Sequence, residues 1–402
     1  MKRAMPNDVQ IDELVRRARG MGISRRALLQ GAGIGGAALL LAACSSGTVG
    51  RPKAAVDRSE KQKSLRFDSR DTYRNTVGED FPLLEKFTED SGISVTYTNA
   101  VSDDNVYYSK VKGQLKLGQD IGADAVVLSD WMAARWIRMG YVQELDMAAM
   151  SNFDNLRVRF KETGGGGRRA FLPWRSGFTG IAWNKAALPD GLTAVSDLWD
   201  PSLSGKVGVM SGIRDTLGLI MLDQGVDISG KEWGDTEFSA AIEVLRSQVA
   251  SGQLKSIKGN AYKEDLKSGK TIATIARAGD VMQINAEAGD QWGFALPERG
   301  AVLWDDVVVI PIGSTHRKNA EAFIDYYFDR NVAAQVAAAT SFMSPVDIRQ
   351  PEIGTIPQDV ARNQMVFPTE ATLATTRTFR TLTQGEEQRY GAQYQTVLLS
   401  GS

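Results

Sequence analysis

One cysteine, Cys44, and one histidine, His316, are all this chain has of either residue. A disulfide within the chain is therefore excluded. The fold must stand on its own core rather than on covalent staples. A multi-histidine zinc site is excluded, and so is most histidine-based acid–base catalysis. An excess of charge is lacking too, with 47 Lys and Arg against 48 Asp and Glu. No basic surplus marks a nucleic-acid binder. No Gly-x-Ser-x-Gly elbow and no cluster of metal-ligand residues occurs, so neither an enzyme nor a metal or cofactor is expected. The one apolar run, residues 27–43, falls short of the roughly 20 residues a membrane-spanning helix needs.

What is present begins at the N-terminus. Lys2, Arg3, Arg16, Arg17 and Arg19 make a basic stretch, followed by Ser24-Arg25-Arg26-Ala27-Leu28-Leu29 and then the apolar run. It closes on Leu41-Ala42-Ala43-Cys44. A basic region, a short apolar core and small residues before a cut site compose a secretory leader. The pair Arg25 and Arg26 is a twin-arginine address read by a receptor. The closing tetrapeptide resembles the bacterial lipobox, in which the cysteine is acylated and becomes the new N-terminus. Residues 1–43 are thus expected to be removed, leaving a lipid on Cys44 and the protein outside the cytoplasmic membrane, on its extracellular or periplasmic side. Loss of seven basic and three acidic residues leaves 40 against 45, a net charge of −5. Residues 44–63 are polar and aperiodic and read as a flexible tether.

Beyond residue 64, apolar and polar positions alternate with periods of two and of 3.6. Strands are expected at 64–67, 93–97 and 123–128, with helices at 81–91, 106–118 and 131–140. This β-α-β-α-β-α order is that of an α/β fold. Further strands are expected at 170–174, 180–184, 203–209, 271–275, 292–296 and 307–310. Helices are expected at 238–251, 262–268, 320–339 and through most of 372–399. The run Gly164 to Gly167 lacks the Gly-Lys-Ser/Thr of a phosphate cradle and reads as a loop.

Several segments then carry a resemblance. Leu84-Glu85-Lys86-Phe87 through Gly92-Ile93-Ser94-Val95 and Ala123-Asp124-Ala125-Val126-Val127 resemble ABC-transporter solute-binding proteins. Leu172-Pro173-Trp174-Arg175-Ser176-Gly177, Ile181-Ala182-Trp183-Asn184, Asp197-Leu198-Trp199-Asp200-Pro201, Val302-Leu303-Trp304-Asp305-Asp306 and Phe342-Met343-Ser344-Pro345 narrow it to the spermidine/putrescine-binding branch. The resemblance runs from about Leu65 to Leu399. It implies a two-lobed, periplasmic-binding-protein-like (type II) α/β fold with the ligand in the cleft. Lobe 1 would comprise 64–174 and 301–343, and lobe 2 would comprise 175–300 and 344–402. It further implies a monomer that hands a polyamine to an ABC permease and its ATPase, with no nucleic-acid partner.

A polyamine site needs carboxylates for the ammonium groups and aromatic faces for the methylene stems. By position, the resemblance assigns an ammonium-pairing carboxylate to Asp306 and a stacking face to Trp304. Ser129 and Trp131 fall on a family Ser-x-Tyr segment, Tyr73 on a motif tyrosine, and Asp215 on an ammonium-binding Glu, beside Arg214. Phe342 stands where a Tyr is usual. Arg70 replaces a family Trp, Ala276 a second one, Gly212 an Asp, and Arg380 a Gln. These departures keep an alternative open: Arg70, Arg277 and Arg380 gripping a different solute, such as a carboxylate or phosphonate. A non-transporting sensor on the same fold is a further alternative.

Overall fold

Three short parallel strands, β1 (Ser64–Asp68), β2 (Ser94–Thr98) and β3 (Ala125–Ser129), start the first lobe. Helices α1 (Pro82–Ser91), α2 (Asp104–Leu117) and α3 (Asp130–Met139) alternate with them, as the periodicity predicts. This is a computed structural model that describes residues 51–70, 82–162 and 170–400. The leader with Arg25 and Arg26, Cys44, Asp71, Tyr73 and the four-glycine run lie outside the described residues. Among the described residues, no helix is long and apolar enough to cross a membrane.

Alternation explains the two faces of this sheet. Ala125 and Val127 face a core shared with Phe67, Trp174, Phe323 and Tyr327. Val126 and Leu128 face the opposite core, with Leu115, Met132 and Trp136 of α2 and α3. Capping fixes where α2 begins. Asp103 is extended (φ −148°) and its carboxylate accepts from Val106 N at 2.9 Å, which satisfies one orphan amide and places Asp104 in the first turn.

The second lobe is built on β5 (Val207–Met210), β6 (Leu254–Lys258), β7 (Ala273–Arg277) and β8 (Trp292–Ala295). Its helices include α4 (Ile213–Asp223), α5 (Asp235–Ala250), α6 (Tyr262–Lys267) and α7 (Ala278–Ala288). Later helices α8 (Arg317–Tyr327) and α9 (Arg330–Thr340) return to the first lobe, and α10 (Gln384–Ser400) packs on the second.

Two long strands, β4 (Leu172–Asn184) and β9 (Ala301–Val309), run through both lobes, so one sheet is ordered β2-β1-β3-β9-β4-β7-β5-β6. Residues 170–174 and 180–184 are therefore not two strands but one. The polar stretch between them misled the pattern because its hydroxyls are buried against carboxylates: Ser176 Oγ donates to Asp305, and Thr179 Oγ1 donates to Asp215 at 2.6 Å. Strand β9 likewise begins at Ala301 rather than at 307, since Asp305 and Asp306 are buried with partners.

Two boundaries need correction. Residues 344–367 do not belong to the second lobe: Val346, Ile348, Ile356, Val366 and Phe367 are buried in the first lobe's core. The chain crosses later, where Thr376 and Arg377 pair with Ala301 and Val302, and Phe379 and Leu382 enter the second core. The described part of the expected tether, residues 51–63, is a strap on the first lobe. Ala55 N donates to Ile312 O at 3.0 Å, and Arg58 N donates to Thr315 O at 2.7 Å. Asn319 Nδ2 donates to the carbonyls of Gln62 and Ser64 at 2.7 and 2.9 Å. His316 bridges the strap to the interior, with Nε2 at 2.9 Å from Gln62 Oε1 and Nδ1 at 3.0 Å from Asp124. The lone histidine is thus structural. Composition reads the strap as polar and aperiodic because its bonds are made by backbone and by partners more than 250 residues away.

Candidate functional site

The C-terminal ends of β1, β3, β5 and β7 point at one another across the lobes, the place where open α/β sheets present ligands. Between them lies a cleft of about 750 Å³. Its walls carry Arg70 after β1, Ser129 and Asp130 at the end of β3, Asp215 in the first turn of α4, and Arg277 at the end of β7. Trp304 and Asp306 come from β9, the strand shared by the lobes.

Register explains how the first cluster converges. Ser129 lies opposite Asp306 in the β3–β9 ladder, so their side chains share a face. Arg70 reaches into this corner. Its Nε lies 2.5 Å and its Nη2 3.2 Å from the Asp306 carboxylate, and Nη2 also lies 3.0 Å from Asp104 and 2.9 Å from Ser129 Oγ. Asp104 in turn accepts from the Ser129 amide at 3.0 Å and hydroxyl at 2.9 Å. The Arg70 and Asp306 side chains are only 8% and 4% exposed. Such forked, charge-assisted bonds are the strong ones. The ammonium partner expected of Asp306 is therefore supplied by the chain itself.

A second cluster is looser. Arg277 Nη2 lies 3.3 Å from Asp215, and its guanidinium sits 4.9 Å from the Trp304 ring. Gly212 permits this: a Cβ there would stand 2.4 Å from Asp215 Oδ2. The carboxylate folds back over the glycine that replaces a family acid. Gly177 has the same role beneath Trp304, where a Cβ would meet Cζ2 at 2.5 Å. In the ladder Gly177 is opposite Trp304, so the indole lies flat across the strand.

On the third wall, Arg214 and Arg135 lie 4.8 and 5.2 Å from the Trp131 ring. Glu387 of α10 holds Arg135 at 3.3 Å and Arg138 at 3.2 Å. Asp130 makes no ion pair within 4 Å among the described residues. Burial pushes its carboxyl up to about 7; Arg214 opposes this, and Asp305 and Asp306 reinforce it. Burial also raises Asp305, against the pull of Arg159 and Ser176. The cleft is lined by seven carboxylates (Asp103, Asp104, Asp130, Asp215, Asp305, Asp306, Glu387) and four guanidiniums (Arg70, Arg135, Arg214, Arg277), a formal excess of three negative charges.

The structure thus brings Trp304, Asp306, Trp131, Ser129, Asp215 and Arg70 to one cleft. Tyr73 lies outside the described residues. Phe342 does not line the cleft. It is 2% exposed and meets Trp304 edge-on at 5.7 Å, so it backs that ring instead of facing a ligand. Arg380 is not on the cleft wall either. Its Nη2 lies 2.7 Å from Glu386 and its guanidinium 3.9 Å from the Trp233 ring. That hydrogen bond, against the opposing effect of burial, holds the Glu386 carboxyl down at about 2. The grip of three arginines therefore lacks its third member. Sequence reasoning missed Asp104, Asp130, Phe379 and Glu387. Asp104 and Asp130 each stand one residue after a capping or strand-end position, and that placement was the available signal.

The cleft's walls are charged and aromatic, a chemistry suited to capture. Comparison with known proteins agrees. The spermidine/putrescine-binding periplasmic protein of Salmonella typhimurium is 24% identical over 298 residues, 73% of this chain and 81% of that protein. The putrescine-binding periplasmic protein SpuD of Pseudomonas aeruginosa is 25% identical over 325 residues, 74% of this chain and 82% of its own. The solved structure of the spermidine/putrescine ABC transporter substrate-binding protein PotD of Streptococcus pneumoniae superposes with a TM-score of 0.71 at 19% identity, covering 85% of this chain and 100% of that one. The family model for bacterial extracellular solute-binding proteins matches residues 83–361. That match spans both lobes and both crossover strands, and the chain belongs to the bacterial extracellular solute-binding proteins, which bind rather than transform their ligands.

Proposed function

We propose that this protein is the capturing component of an ABC importer and that its cargo is a small polyamine. The observation that carries this reading is the cleft's excess of three carboxylates beside two tryptophan faces. Asp130 is the natural partner of one ammonium, since no cation among the described residues pairs with it within 4 Å. Asp215 is the partner of another, because Arg277, 23% exposed and bound at 3.3 Å, is displaceable. Trp304 and Trp131 offer surface to the methylene stem. The relatives named for putrescine and spermidine support the same cargo. Closure of the lobes about β4 and β9 would then present the loaded form to a permease. The leader and the Leu-Ala-Ala-Cys sequence support export through the twin-arginine route and acylation of Cys44, which keeps the protein at the outer face of the membrane as a monomer.

Calorimetry on residues 45–402 tests the cargo. Putrescine or spermidine binding at micromolar affinity or better is expected, and heat-silent titrations of a folded protein would remove the proposal. One observation favours a second reading. Arg214 Nη2 is buried at the cleft wall without a hydrogen-bond partner among the described residues, 3.9 Å from Glu387. A solute with a carboxylate as well as an ammonium would satisfy it. Titrating an ω-amino acid of matched length beside putrescine separates the two.

A further inference from the structure

Two acids and a hydroxyl converging on one point within about 3 Å form a cation site. In this cleft that point is filled by a residue of the chain. We infer that Arg70 is a built-in cation that occupies one of the cleft's own ammonium sites and so sets how many charges the cargo carries. This rests on the amine reading of the cleft and deepens it.

Depth and fit separate Arg70 from the other arginines. Its guanidinium is bound by Asp104, Asp306 and Ser129 together. Its side chain is 8% exposed, against 23% for Arg277, which lies 3.3 Å from Asp215. An incoming ammonium can displace Arg277 from Asp215. It does not displace Arg70, because two acids and a hydroxyl would have to release that guanidinium together. Nor can it settle beside Arg70, since a like charge at close range in a partly shielded cleft costs roughly ten-fold or more in affinity. The cleft therefore keeps Asp130 and Asp215 for cargo and withholds Asp104 and Asp306. A cargo with two charged ends fits this arrangement, and a third ammonium is denied the deep site that Arg70 fills. Arg70 is a specificity-determining residue that works by occupying space and charge.

The test compares wild type with Arg70→Gln and Arg70→Ala, with folding checked by thermal melting. Calorimetry should show wild type favouring putrescine over spermidine. The spermidine-to-putrescine affinity ratio should rise at least about ten-fold in Arg70→Gln, as the vacated acids accept a third ammonium. Methylguanidinium should raise the melting temperature of Arg70→Ala, leave wild type unmoved, and restore the low ratio. An unchanged ratio in a folded Gln variant, together with no methylguanidinium effect on the Ala variant, overturns the inference. Wild type binding no amine refutes the amine cargo, whereas the methylguanidinium effect still decides whether Arg70 fills a cation site.

Discussion

Lowering the pH from 8 to 6 should weaken amine binding about ten-fold, through Asp130. Its carboxyl is pushed up to about 7 by burial at the cleft wall, with Arg214 opposing and Asp305 and Asp306 reinforcing. An ammonium is attracted only to the ionised form. At pH 8 about nine-tenths of a group with this pKa is ionised, and at pH 6 about one-tenth, which gives the ten-fold loss. The cargo's own ammonium groups, with pKa values near that of lysine at about 10.4, stay charged throughout. Binding at pH 7 should therefore expel about half a proton, visible in calorimetry as a dependence of the heat on the buffer's ionisation enthalpy. Asp130→Asn should bind more weakly at pH 8 and lose the pH dependence. The sign for stability runs the other way. The folded chain keeps this proton up to about 7 while the unfolded chain releases it near 3.8, so this group makes the fold less stable as pH rises from about 4 to 7. Constant affinity from pH 8 to 6 with no proton release would show that Asp130 does not meet the ammonium.

Asp306→Ala should destabilise the protein by about 3 kcal/mol, the lower end for breaking a buried pair, because Asp104 still holds one Arg70 nitrogen; urea denaturation measures it, and an unchanged midpoint refutes the buried-pair account. Gly177→Ala places a Cβ 2.5 Å from Trp304 Cζ2, so the indole must turn off the strand, at a cost of about 1–3 kcal/mol. Near-UV circular dichroism should change and amine affinity should fall, and an unaltered spectrum would disprove the contact. Asn319→Ala removes two bonds to the strap, worth about 1 kcal/mol each. Hydrogen exchange should then quicken within residues 55–64 while amine binding is retained, and uniform protection would place the strap's hold elsewhere.

The first three helices follow from periodicity, because each has a buried and a wet face, and β3, buried on both faces, follows from its short apolar run. The crossover strands do not. Both are buried along nearly their whole length, and their polar residues, Ser176, Thr179, Asp305 and Asp306, break the apolar pattern while being satisfied by partners far off in sequence. The site shows the same division. Position pointed to Trp304, Asp306, Ser129 and Asp215 because they sit at strand or helix ends with recognisable neighbours. It also pointed to Phe342 as a ligand face, but a glycine is what decides that residue: a Cβ at Gly279 would stand 2.6 Å from its ring, so the ring is drawn under Trp304. Whether an arginine repels a ligand or is neutralised by an acid depends on pairings such as Arg70 with Asp104 and Arg380 with Glu386, which no single-chain spacing reveals.

The strap has a consequence for how far this protein can roam. With Cys44 acylated as proposed, only residues 45–50 separate the lipid from Arg51, which packs against Gly140 at the end of α3. Six residues reach about 20 Å when fully extended. A leash of 45–63 would have let the folded body tumble through a volume several times its own size. The shorter one would hold the strap-bearing side within that reach of the bilayer. Lengthening the chain between Cys44 and Arg51 with a flexible insert should therefore slow delivery to a membrane-embedded permease while leaving capture in solution unchanged.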